Sequence, residues 1–151
     1  MNNLIPLHFR TYSFKFQNKG NKTYIWDDIR KKNILLTPEE WVRQHVIQFL
    51  IEEKRYSPNW MAIEKQFVIN ELHKRADIVV YNKDMHPYII VECKAPNIKI
   101  TQETFDQIAR YNLALDAKYL MLTNGLQHFY CQMNFEKETY IFLEELPDNN
   151  L

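Results

Sequence analysis

The sequence predicts an α/β domain: one mixed sheet of about five strands flanked by two main helices, with an N-terminal β-hairpin extension. Three observations lead there. Residues 37–55 and 101–115 repeat apolar side chains three and four apart behind a threonine, the pattern of capped amphipathic helices. Between and after them lie short runs rich in Val, Ile and Tyr, bounded by Asn, Asp, Gly or Pro, which read as strands. A hydrophobic fraction of 46% against 25% charged residues gives a core large enough for one domain over residues 1–151. Residues 1–36 form an arm and hairpin, and residues 37–146 the core.

The elements follow in order. Residues 1–10 read as a loosely held arm. Tyr12, Phe14 and Phe16 alternate, which suggests a strand over residues 11–16, and Lys19-Gly20-Asn21 a turn. Residues 23–29 and 33–36 are further strand candidates, with Asp27 and Asp28 at a strand end. Thr37-Pro38-Glu39-Glu40 starts the first helix: threonine caps free N–H groups, proline suits the first turn, and Glu40 occupies the capping-box position. At ~100° per residue, Glu39 lies nearer the Val46/Leu50 side than Glu40 and is favoured to look inward. Residues 61–69 read as a strand carrying Glu64. Residues 76–81 and 87–93 are the two central strands, antiparallel across Asn82-Lys83-Asp84, and Ala95-Pro96 ends the second. The second helix spans residues 101–115. Residues 118–123 and 127–133 form a hairpin around Asn124-Gly125, and residues 140–146 close the domain as a strand or short helix.

Composition removes several function classes. No apolar run approaches ~18 residues, so no helical membrane span is expected. The N-terminus shows no apolar secretion segment, which makes the cytoplasm the expected location. Cys93 and Cys131 form neither a disulfide framework nor a zinc-ligand spacing, and the 5 His are scattered. Lys plus Arg and Asp plus Glu balance at 19 each, which argues against nucleic-acid binding by bulk charge alone.

The candidate site lies in residues 75–94, RADIVVYNKDMHPYIIVECK. Side chains two apart on a strand share a face, so Glu92 and Lys94 point one way and Cys93 the other. Asp77 on the neighbouring strand can come beside them. Ionised groups set against an apolar sheet must be paired or must coordinate something. Asp77, Glu92 and the Cys93 carbonyl can supply hard oxygens to a divalent cation, and Lys94 can orient a water or meet developing negative charge. The structural alternative is a salt-bridged rim at the end of a sheet.

Asp77 and Glu92-Cys93-Lys94, followed by Gln107-Ile108-Ala109-Arg110-Tyr111, resemble the active-site set of the PD-(D/E)xK nuclease superfamily, in the subgroup with a Gln-x-x-x-Tyr helix. The stretches IWDDIRKKNILLTPEEWVRQ, KRADIVVY, VECKAP, FDQIARYNLAL and LTNGLQHF resemble the N-terminal domain of type I restriction enzyme R subunits, in a small stand-alone form. The likeness covers about residues 24–145, with the motifs in order. Ala76 stands where the superfamily's name has proline.

The resemblance implies a restriction-endonuclease-like fold and hydrolysis of DNA phosphodiester bonds, in restriction or defence. Asp77 and Glu92 would hold Mg2+ or Mn2+, and Lys94 would activate or position the attacking water. Gln107 would hold Lys94 or a phosphate, and Tyr111 would touch the DNA backbone. An acid from the first helix, Glu39 or Glu40, would complete the site, with Glu64 a further candidate. The implied partners are DNA, separately encoded motor or specificity subunits, and a second copy in a homodimer. No G-x-x-x-x-G-K-[ST] phosphate loop occurs, so translocation is not expected of this chain. The competing expectation is a catalytically weak or inactive DNA-binding or protein-interaction module that keeps the fold.

Overall fold

The computed structural model describes residues 4–149. A small antiparallel sheet comes first, from β1 (Phe16–Lys19), β2 (Lys22–Asp27) and β3 (Lys32–Leu35) in the order β1-β2-β3. The main sheet is six-stranded, one strand more than the pattern suggested. It contains β4 (Met61–Ile69), β5 (Leu72–Tyr81), β6 (Pro87–Cys93), β7 (Tyr119–Thr123), β8 (His128–Asn134) and β9 (Thr139–Leu143), in sequence order. Only β6 and β7 pair in parallel, and helix α2 (Gln102–Leu115) makes the crossover that a parallel pair requires. This is a restriction-endonuclease-like α/β arrangement.

Each helix covers one face of the sheet. Helix α1 (Pro38–Gln48) begins at Thr37, whose Oγ1 accepts from the Glu40 N–H at 3.1 Å, and continues into a π-helical turn, Phe49–Glu53. Its Val42, Val46, Ile47 and Leu50 pack on Ile78, Val80, Ile89 and Val91. Helix α2 is capped by Thr101 and sets Phe105, Ala109 and Leu115 on Val79, Ile90, Leu120 and Leu122. The central strands are therefore apolar on both faces. Each fully buried aliphatic side chain there contributes about 1.5–3 kcal/mol. The turn between β5 and β6 is closed by Asn82, whose Oδ1 accepts from the N–H groups of Asp84 and His86.

The N-terminal segment departs from expectation in two ways. The aromatic alternation at residues 11–16 belongs to an extended segment rather than a strand, and β1 starts only at Phe16. Those rings serve helix α1 instead: Phe14 lies 4.9 Å from the ring of His45 and 5.3 Å from that of Trp41, and Tyr12 donates to Glu53. Residues 4–10 are also tied down. The His8 N–H donates to the Gly125 carbonyl at 2.8 Å, Trp41 donates to the Ile5 carbonyl, and Phe9 packs on His45 and His128. The first three residues of the expected arm lie outside the described ones.

Candidate active site

The site forms where two paired strands part. The β5–β6 ladder runs from Tyr81↔Pro87 to Ile78↔Val91 and stops. Beyond it, the Cys93 N–H donates to Asp77 Oδ2 at 2.7 Å, so a side chain takes over where backbone pairing ends. On its other side β6 stays in register with β7 to Cys93↔Thr123, and the Lys94 N–H donates to the Thr123 carbonyl at 2.8 Å. The backbone carrying Glu92 and Lys94 is thus fixed by β7. Cys93 packs in the core under helix α1, whereas the charge of Glu92 acts on Tyr111 of helix α2. Burial pushes the Cys93 thiol well up, and it stays neutral.

Asp77 lies near enough to Glu92 for its charge to act on it. The Glu92 carboxyl is pushed far above the usual carboxylate range, first by burial and then by the nearby Asp77, while Lys94 pulls the other way. Glu39 is raised by burial and by Asp77, against the opposing fields of Arg43 and Lys94. No carboxylate lies within 4.0 Å of Lys94 Nζ among the described residues. Also among the described residues, no group of three or more His, Cys, Asp or Glu is arranged to hold a metal ion.

The sequence reading missed the largest cation of the site. Arg43, on helix α1, directs Nη2 to Asp77 Oδ1 at 3.0 Å and to Glu39 Oε1 at 3.4 Å. Its Nη1 lies 3.2 Å from both Glu40 Oε1 and Glu64 Oε1. Burial works against the guanidinium charge, but the carboxylates of Glu40, Asp77 and Glu64 outweigh it and hold the pKa above the usual arginine value. A second layer stands behind. Arg30 pairs with Asp27 Oδ2 and Glu40 Oε2, each at 2.8 Å, and Gln44 donates to the same two oxygens at 2.9 and 3.0 Å. Asp27 also accepts from the backbone N–H groups of Ile29 and Arg30, as a strand-end acid should. Burial alone would raise its pKa; these hydrogen bonds lower it. The available signal for Arg43 was periodicity, since it stands three residues from Val46 and four from Ile47 on the apolar face.

That network corrects the reading of the two helix acids. Glu40, not Glu39, turns inward: it is 6% exposed and held by Arg30, Arg43 and Gln44, because those donors outcompete solvent for its carboxylate. The Glu39 side chain is 48% exposed and faces Asp77 and Lys94. Glu64 does approach the site. The β4–β5 register steps from Ile63↔Ile78 to Lys65↔Ala76, so Glu64 stands opposite Asp77. Its φ of 55° removes it from the ladder and is rare for a non-glycine residue in a strand.

On helix α2, Gln107 is exposed, and among the described residues no hydrogen bond joins it to Lys94. Tyr111 is half-buried; its hydroxyl has no hydrogen-bond partner among the described residues, and burial together with Glu92 pushes its pKa up to about 12. Lys74 Nζ lies 5.9 Å from the centre of its ring.

No helix among the described residues is long and apolar enough to cross a membrane. No curated protein matches the chain. The family model described as "Type I restriction enzyme R protein N terminus (HSDR_N)" matches residues 38–147, which takes in both helices, the whole six-stranded sheet and every acid of the site from Glu39 to Glu92. The chain belongs to the family of type I restriction enzyme R protein N-terminal domains.

Proposed function

We propose that this domain hydrolyses DNA phosphodiester bonds with the help of Mg2+ or Mn2+. The observation that carries the reading is Asp77 standing where β5 and β6 part, its Oδ2 on the Cys93 N–H between Glu92 and Lys94, a lysine with no ion-pair partner among the described residues. Two carboxylates pressed together in an apolar sheet oppose each other unless a proton or a cation lies between them. Their hard oxygens, with the Cys93 carbonyl, form a donor set that fits Mg2+ or Mn2+. When bound, the cation supplies Lewis-acid stabilisation of charge gathering on the scissile phosphate.

The chain's own residues do the rest. Lys94 orients the attacking water and offers an ammonium to the developing negative charge. Asp77 is held at one oxygen by Arg43 and at the other by the Cys93 N–H, so it presents its remaining lone pairs in one fixed direction. Glu39 is the first-helix acid of the site, since it faces Asp77 and Lys94, while Glu40 anchors Arg30 and Arg43. Gln107, exposed on helix α2, contacts phosphate or the DNA backbone, Tyr111 can do so only through its half-buried ring, and Arg110 and Lys99 flank them as further phosphate contacts. Family membership supports a role in restriction or defence, with separately encoded motor or specificity subunits as partners, in the cytoplasm.

The test is cleavage of supercoiled and linear DNA with Mg2+ or Mn2+. Glu92→Ala and Lys94→Ala should abolish it while the fold persists; unchanged cleavage by the purified variants sinks the assignment. A second reading, a binding module without turnover, is favoured by one observation: both Asp77 oxygens are already engaged. Calorimetry separates the two, because the module binds neither Mg2+ nor Mn2+ even with DNA present.

A further inference from the structure

One cation is already built into the candidate site. Arg43 Nη2 lies between Asp77 Oδ1 and Glu39 Oε1, at 3.0 and 3.4 Å, and Nη1 between Glu40 and Glu64, both at 3.2 Å. The Arg43 side chain is 5% exposed. Glu39 and Glu40 sit four and three residues before it on the same helix, so the helical backbone sets those two contacts. Glu40 is fixed in turn by Arg30 at 2.8 Å and Gln44 at 3.0 Å. The guanidinium cannot swing away without giving up contacts to four carboxylates at once.

Sites that cut phosphodiesters often gather two cations about 3.5–4 Å apart, with a shared carboxylate between them. Asp77 and Glu39 are placed to share one with each other, yet Arg43 Nη2 stands between them. The geometry points to Arg43 as the occupant of the second cation position. The site takes a single divalent cation, at Asp77 and Glu92, and the guanidinium supplies fixed positive charge between Asp77 and Glu39 where a second ion would bridge them. An arginine suits the place because its planar fork reaches several carboxylates at once and its charge does not exchange with solvent. This inference rests on the reading of the site as a divalent-cation site.

The test is a Mn2+ titration of the full chain without nucleic acid, with free Mn2+ followed by paramagnetic resonance. Wild type should bind one ion per chain. Arg43→Gln should bind two, Arg43→Lys one, and Glu39→Gln one, with circular dichroism confirming the fold of each. Two ions in wild type, loss of the ion in Glu39→Gln, or a folded Arg43→Gln that still binds one would overturn the assignment of Arg43. Two ions in wild type or loss of the ion in Glu39→Gln overturns it even if the Arg43 variants do not fold. No ion in wild type removes the divalent-cation reading itself, an outcome distinct from the others.

Discussion

Asp77 Oδ2 accepts the Cys93 N–H at 2.7 Å across the point where β5 and β6 separate. One carboxylate therefore both closes the end of a sheet ladder and stands in the candidate site. The two duties can be separated by substitution. Asp77→Ala strands a buried N–H and should cost about 1–3 kcal/mol in urea unfolding. Asp77→Asn keeps an acceptor for Cys93 and should cost less, yet both variants should lose Mn2+ binding. Equal destabilisation would mean that the Arg43 ion pair, not the Cys93 hydrogen bond, dominates at Asp77.

Tyr111 gives the opposite balance. Its hydroxyl is buried without a partner. Tyr111→Phe should leave stability unchanged or raise it by up to about 1 kcal/mol, because an unsatisfied group is removed. DNA affinity, measured by fluorescence anisotropy, should be unchanged, because the sealed hydroxyl does not reach a ligand. A destabilised variant would reveal a partner for the hydroxyl in solution.

The turn at Gly125 should tolerate no side chain. Its φ is 86°, and a Cβ there would lie 2.8 Å from Leu7 Cδ2 and 3.1 Å from Val42 Cγ2. Gly125→Ala combines left-handed strain with overpacking and should cost about 2–3 kcal/mol. Thermal melting checks it, and a shift of under a degree would refute it.

Stability should depend on pH through two imidazoles. His45 donates from Nδ1 to the Trp41 carbonyl; His128 donates from Nε2 to the His8 carbonyl and accepts at Nδ1 from Thr123. Burial lowers both pKa values below 6.5. Between the folded and unfolded values the unfolded chain binds protons that the fold refuses, so this contribution is complete above about pH 6.5 and is lost as pH falls. Glu92, raised by burial and by Asp77, pulls the other way over an overlapping range, which makes a difference measurement necessary. Urea midpoints at pH 7.5 and 5.5 should converge in His45→Gln/His128→Gln relative to wild type. An unaltered gap would rule the imidazoles out.

Much of this arrangement is legible in the sequence. The pair Glu92 and Lys94 stands out because it follows the apolar run Tyr88 to Val91, and helix starts at Thr37 and Thr101 are written in the capping residues themselves. Local chemistry decides those features, so local reading finds them. Arg43 escaped because two of its four partners come from elsewhere: Glu64 is 21 residues away and Asp77 34. An isolated helix would expose such a side chain. The same long-range pairing reversed the reading of Glu39 and Glu40, where periodicity alone cannot see Arg30. The aromatic alternation at Tyr12 and Phe14 misled for a related reason, since rings that clasp a helix leave the same period-two trace as a strand.

Arg30 grips Asp27, at the end of β2, with one nitrogen and Glu40 with another. The small three-stranded sheet is therefore geared to the acids through a short train of ion pairs, Asp27 to Arg30 to Glu40 to Arg43 to Asp77. A displacement of that sheet would therefore be felt as far away as Asp77, four ion pairs from the strand end that moved.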